Sequence, residues 1–182
     1  MQPTPRRIHR GHLAPFETLS YSAVSGLASF SYPNAVPQYR TFNSGQWGAY
    51  ERRIRQFAKD QCAALGGSLY LITGTSEAHL LGQGGPVQRQ SMDTLPSQPG
   101  TQSYLSIPNS MWTVGCCVGP GGLVLGAFAV IGNNVPQKNK IFMSNPSVTQ
   151  VQEFIRTGAN DPTIQLFPGN LNCYAANKQF YF

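Results

Sequence analysis

At 182 residues with 41% apolar content, the chain is long enough for one domain with a real core and too short for two comfortable ones. Its 19 glycines, 14 prolines and sparse charge (11%), with no apolar run long enough to span a membrane, argue against a disordered chain, a helical bundle and a membrane span. Residues 1–60 hold eight of the thirteen Lys/Arg and three of the seven Asp/Glu, so that a net +5 of the total +6 lies where a polyanion would be attracted.

Residues 1–7 read as an extended Pro/Arg arm without the apolar stretch of a secretory signal. Ile8 to Leu13 is expected as a strand that sends Arg10 and His12 to one face and His9 to the other, with Ala14-Pro15 ending it. Two imidazoles and a guanidinium thus fall within four residues, hinged at Gly11. Such a cluster can activate water and hold a phosphate, and it can equally be a solvated basic surface. Tyr21 to Ser31 allows either a short helix or a strand, whereas Phe30 to Val36 reads as a strand that Pro33 and Pro37 confine to an edge or an irregular crossing.

Ser44 to Leu65 is the clearest helix, with Ser44 as N-cap and Gly66-Gly67 as the stop. Trp47, Tyr50, Ile54, Phe57, Ala58 and Cys62 recur at helical spacing as its buried stripe. Glu51 and Arg55 lie one turn apart beside that stripe, a spacing that also suits an ordinary surface ion pair worth roughly a few tenths of a kcal/mol. Ser68 to Thr73 follows as a central strand, and Gly74 to Gly100 as a long surface insertion in which His79 is a surface histidine rather than a ligand.

Tyr104 to Ile107 and Trp112 to Val118 are expected strands; the turn Gly119-Pro120-Gly121-Gly122 leads to a partner strand, Leu123 to Ile131. Ser147 caps a late helix with Gln150 at the capping-box position and Val148, Val151, Phe154 and Ile155 facing inward. Ile164 to Phe167 is a last apolar segment before Pro168-Gly169. The four cysteines (Cys62, Cys116, Cys117, Cys173) match no zinc spacing and fit either disulfides in an oxidising compartment, with Cys62 or Cys173 reaching one of the adjacent pair, or buried thiols.

Three stretches taken together carry a family resemblance. They are Arg10-Gly11-His12-Leu13-Ala14-Pro15; Asn34-x-x-x-Gln38; and Phe42-Asn43-x-Gly45-x-Trp47 followed by Glu51-x-x-x-Arg55. This order and spacing resembles the DNA/RNA non-specific endonucleases, which include secreted bacterial nucleases and mitochondrial endonuclease G. The resemblance implies an α+β, ββα-metal nuclease fold: a single domain over residues 1–182, an antiparallel sheet, and a long active-site helix at about 44–65. It further implies that His12 is the general base and that Asn43 supplies the oxygen ligand of one Mg²⁺, with Mn²⁺ or another divalent ion as a substitute. Arg10 and Arg55 would stabilise the phosphate, Glu51 would order the ion's water shell, and Asn34 and Gln38 would support the site through hydrogen bonds.

DNA and RNA are the implied substrates, read without base contacts; no membrane and no specific protein partner is implied. The cysteines and the secreted relatives point to an extracellular location. Two departures stand out. His9 takes the place of the family's usual Asp, and only nine residues precede Arg10, which suggests a chain lacking N-terminal strands. The rival expectation is a catalytically inert nucleic-acid-binding or interaction domain on the same scaffold.

Overall fold

Ser110–Val118 is the most deeply enclosed strand, and its two faces carry the two halves of the core. Side chains alternate across a strand, so Met111 and Cys117 face one way and Trp112, Val114 and Cys116 the other. This computed structural model describes residues 8–82, 87–96 and 104–175. The first part of the chain forms β1 (Ile8–His12), α1 (Phe16–Leu19), α2 (Ala23–Ala28), β2 (Ala35–Tyr39), α3 (Arg40–Phe42) and α4 (Gly48–Phe57). The middle forms β3 (Ser68–Ser76), β4 (Ala78–Leu80), β5 (Val87–Arg89), β6 (Asp93–Pro96) and β7 (Tyr104–Ile107). Next come β8 (Ser110–Val118), β9 (Val124–Asn133), β10 (Met143–Ser144), α5 (Val148–Ala159) and α6 (Asn172–Ala175).

The main sheet has the order β10-β9-β8-β3, with every neighbour antiparallel. Three antiparallel pairs stand beside it: β1 with β2, β4 with β5, and β6 with β7. The helical stretch from Arg40 to Leu65 lays Phe42, Trp47, Tyr50, Ile54 and Phe57 against Met111, Phe128 and Met143 on one sheet face. On the opposite face Val148, Val151, Leu166 and Phe167 close over Trp112, Val114, Ala129 and Ile131. One disulfide staples each face, Cys62–Cys117 under the long helix and Cys116–Cys173 under the C-terminal segment. Both outer cysteines therefore reach the adjacent pair, one each, because neighbouring strand residues point to opposite faces.

The long helix differs from its expected outline. Arg40–Phe42 is already helical, and Asn43–Trp47 is a wide π-turn in which Gly45 leaves the helical region (φ −101°, ψ −117°). Ser44 lies inside this turn and caps nothing. β2 feeds straight into the helix, with Tyr39 as the last extended residue, so no separate cap is needed. A second π-turn, Ala58–Cys62, leaves Ala58 only half-buried, off the stripe it was expected to join. The stop is where the glycines put it: Gly66 is left-handed (φ 71°) and its N–H bonds to Ala63 O at 2.9 Å.

Other outlines shift for local reasons. The segment expected as a strand at 30–36 begins with a 3-10 turn, Tyr32–Asn34, because the fixed φ of Pro33 suits the first turn of a helix; the strand follows at Ala35. Tyr21 to Ser31 resolves as α2, whose N-cap Ser22 accepts from the Ser25 N–H at 3.1 Å. β3 is an edge strand, not the central one, and leaves Tyr70 57% exposed, while β8 holds the centre.

The region 74–100 is not simply a surface insertion. β3 continues to Ser76, and Ala78 and Leu80 are fully buried. The Asn133 side chain makes the burial of Leu80 possible by accepting from Leu80 N–H (2.7 Å) and donating to Leu80 O (2.8 Å), as a neighbouring strand would, and the Ala78 N–H donates to Ser76 Oγ (2.8 Å). His79, between them, is half-buried rather than a plain surface residue. The expected arm at 1–7, and the parts of that insertion at 83–86 and 97–100, lie outside the described residues. The late helix carries its full capping box, Ser147 Oγ accepting from Gln150 N and Gln150 Oε1 from Ser147 N. No helix among the described residues is long and apolar enough to cross a membrane.

Candidate active site

The β1–β2 ribbon depends on the absence of a side chain at Gly11. A Cβ there would lie 2.1 Å from Gln38 Cδ, and Gln38 is fully buried with its Nε2 donating to Met111 Sδ at 2.6 Å. Because Gln38 has no room to withdraw, Gly11→Ala is expected to destabilise the protein by about 1–3 kcal/mol through overpacking. An unchanged urea midpoint would show that the ribbon can open. Asn34 fastens the turn after His12: it accepts from Ala14 N (2.8 Å) and donates to Ala14 O (2.9 Å) and Ser29 O (2.7 Å).

Asn134 does the same where β2 enters the helix. It accepts from Tyr39 N (2.8 Å) and donates to Pro108 O (2.8 Å) and Pro37 O (3.1 Å), tying the ribbon to the end of the main sheet. Sequence reasoning missed this positioning residue. Its one local sign is a pair of carboxamides, Asn133-Asn134, closing an apolar strand.

On β1, alternation separates the candidates as expected of a strand. The His12 ring packs edge-on against Phe30 with centroids 5.3 Å apart, and Phe30 in turn meets Phe16 at 5.3 Å. Partial burial lowers the His12 pKa below the ordinary histidine value, which favours the uncharged imidazole. Arg10 is exposed. His9 turns the other way and brings its Nδ1 to 3.4 Å from Asn43 Nδ2. No hydrogen bond joins His12 to Asn43 among the described residues.

The helix contributes Glu51 and Arg55. Arg55 forms its ion pair with Glu17 of α1, across the chain, rather than with Glu51 one turn away. It still acts on Glu51 through its charge. Burial raises the Glu51 pKa to about 7, opposed by Arg55, by the nearby Trp47 indole N–H and by Arg52, and reinforced by Glu17. Glu51 also borders a cavity of about 20 Å³ between Leu13, Trp47 and Thr113, room for a single water.

A family model for DNA/RNA non-specific endonuclease matches residues 2–160, a span that includes every one of these side chains. The chain belongs to that family. Among curated proteins none matches it. Among solved structures, the one described as "Crystal structure of the EndoG/EndoGI complex: Mechanism of EndoG inhibition" superposes with a TM-score of 0.57 at 18% identity, covering 84% of this chain. That likeness speaks for the fold, the ββα-metal nuclease arrangement of mixed helix and antiparallel sheet. The chain spans 57% of the length of the chain it matches there.

For a member of this family the donor chemistry around Asn43 suits a lightly held divalent cation. The half-buried Asn43 points its amide N–H at His9, and its side-chain oxygen has no hydrogen-bond partner among the described residues. Those residues include no cluster of three or more His, Cys, Asp or Glu that could hold a metal. A site of one carboxamide oxygen plus water needs no such cluster. A larger cavity, about 360 Å³ beside Trp112, Arg89 and Phe154, contains none of these side chains.

The raised Glu51 pKa has a consequence for stability. Between about pH 4.5 and 7 the folded state holds a proton on Glu51 that the unfolded chain has released, so stability declines as pH rises through that window. Glu51→Gln is therefore expected to stabilise the protein by about 2 kcal/mol at pH 8, allowing for partial exposure, with little gain at pH 4. Urea midpoints at the two pH values measure this, and parallel pH profiles for variant and wild type would refute it.

Proposed function

We propose that this protein is a metal-dependent, largely sequence-non-specific endonuclease that hydrolyses phosphodiester bonds in DNA and RNA. Membership of the endonuclease family over residues 2–160, with His12 half-buried against Phe30 on β1, carries this reading. His12 takes a proton from the attacking water as the new P–O bond forms and the scissile P–O bond breaks. Arg10, exposed on the same face, and Arg55 on the helix neutralise charge on the phosphate oxygens. Asn43 would hold a divalent cation, which when bound supplies Lewis-acid stabilisation of the scissile phosphate.

Glu51, at the edge of its one-water cavity, orders solvent near the reacting centre. Asn34 and Gln38 hold the backbone on which His12 and His9 ride. The two disulfides suit an oxidising, extracellular setting. A plasmid-nicking assay with and without chelator tests the reading. Cleavage abolished by chelator and restored by a divalent cation supports it, whereas salt-sensitive DNA binding without cleavage would make the chain an inert nucleic-acid-binding member of the family.

A further inference from the structure

The residue that meets Asn43 is His9, and this contact alters the chemistry of any ion held there. His9 Nδ1 and Asn43 Nδ2 lie 3.4 Å apart, one on β1 and the other on the π-turn that opens the long helix. A half-turn of the carboxamide exchanges its nitrogen for its oxygen at almost no steric cost. The Asn43 oxygen and the His9 nitrogen would then sit side by side with their lone pairs converging. Two ligands about 2.1 Å from one ion are separated by roughly 3.0–3.4 Å, so the observed spacing matches a shared cation. Both residues are half-buried, and Gln38, directly opposite His9 in the ribbon, buries a side-chain oxygen with no hydrogen-bond partner.

We propose that His9 is a second ligand beside Asn43, converting an oxygen-only site into a nitrogen–oxygen site that favours Mn²⁺, Co²⁺ or Zn²⁺ over Mg²⁺. This rests on the reading of Asn43 as the cation-holding residue. Magnesium takes oxygen donors and parts with water reluctantly. Imidazole nitrogen adds affinity for the later first-row ions, in the order Mn²⁺ below Co²⁺. Strand alternation turns His9 toward Asn43 while the His12 ring meets Phe30, so His9 can serve as a ligand and leave His12 free as the base.

Binding is read directly, without turnover, on the whole 182-residue chain. Mn²⁺ and Mg²⁺ are titrated by calorimetry, and Co²⁺ by its visible absorption. Wild type is expected to bind Mn²⁺ at least tenfold tighter than Mg²⁺. His9→Ala should lose about tenfold in Mn²⁺ affinity with little change for Mg²⁺, and His9→Asp should narrow the Mn²⁺/Mg²⁺ ratio and shift the Co²⁺ band as nitrogen gives way to oxygen. Equal Mn²⁺ affinity and an identical Co²⁺ spectrum in wild type and both His9 variants would overturn the proposal. If Asn43→Ala abolishes binding in that case, the cation site stands without His9. If Asn43→Ala also binds as wild type does, the ion lies elsewhere and both readings fall.

Discussion

Replacing His12 with alanine is expected to slow plasmid cleavage by roughly 100- to 10,000-fold, the range that a positioned general base contributes. The expectation follows from where the ring sits. It is buried enough to lose hydration, which favours the uncharged form, and it stands on the strand face shared with Arg10. Its ring contact is with Phe30, which is itself 61% exposed, so truncation opens no cavity in the core and the melting temperature should barely move. DNA binding, dominated by basic side chains and salt, should persist at a similar salt dependence.

A companion variant isolates the electrostatic part. Phe30→Ala re-hydrates the His12 ring, so its pKa should rise toward the ordinary histidine value. The acid limb of the rate profile should move up with it. A His12→Ala enzyme that kept more than a tenth of the wild-type rate would require another base, and half-buried Glu51, ionising near pH 7, would be the next candidate.

How much of this was legible in the sequence depends on whether a feature is local. The Gly66 stop, the Ser147–Gln150 capping box and the β8–β9 pair across Gly119 to Gly122 follow from residues a few positions apart, and they stand in the structure. The start of the long helix does not. Ser44 has the chemistry of a cap, but β2 is fastened by Asn134, ninety-five positions from Tyr39, and that bond delivers the chain into the helix at Arg40. Periodicity also assumed 3.6 residues per turn, whereas π-turns interrupt the helix at both ends and Ala58 leaves its assumed place on the stripe.

Composition misled at 74–100 for a related reason. Gly, Gln, Ser and Pro read as loop, yet the buried Asn133 carboxamide satisfies the Leu80 backbone and the Ser76 hydroxyl takes the Ala78 N–H, which lets both residues enter the core. Among the candidate site residues, strand alternation correctly divided His9 from Arg10 and His12. It could not say which face Asn43 would meet, because that depends on how the ribbon is docked. Nor could the i,i+4 spacing of Glu51 and Arg55 reveal that Glu17, from a short helix after β1, would take the guanidinium.

Removing either disulfide is expected to lower the melting temperature by about 10 °C, and removing both should leave little folded protein at 37 °C. The bonds close loops of 55 and 57 positions, each worth about 4 kcal/mol by chain entropy, against a total of roughly 5–15 kcal/mol for a domain of this kind. The two losses should differ in function. Cys62 lies at the far end of the helical stretch that carries Glu51 and Arg55, and Cys117 anchors it to the sheet, with Gly67 packed so closely that a Cβ there would fall 2.8 Å from Cys117 Sγ. Cys116–Cys173 ties down the opposite face, away from every candidate catalytic side chain. Assayed well below its own midpoint, the Cys62→Ala/Cys117→Ala protein should therefore cut more slowly than wild type, while Cys116→Ala/Cys173→Ala should cut at nearly the wild-type rate. Equal rates in the two variants, or midpoints within about 2 °C of wild type, would mean that the packed faces alone fix the helix on the sheet. The adjacent cysteines would then be redundant with the aromatic stripe from Phe42 to Phe57.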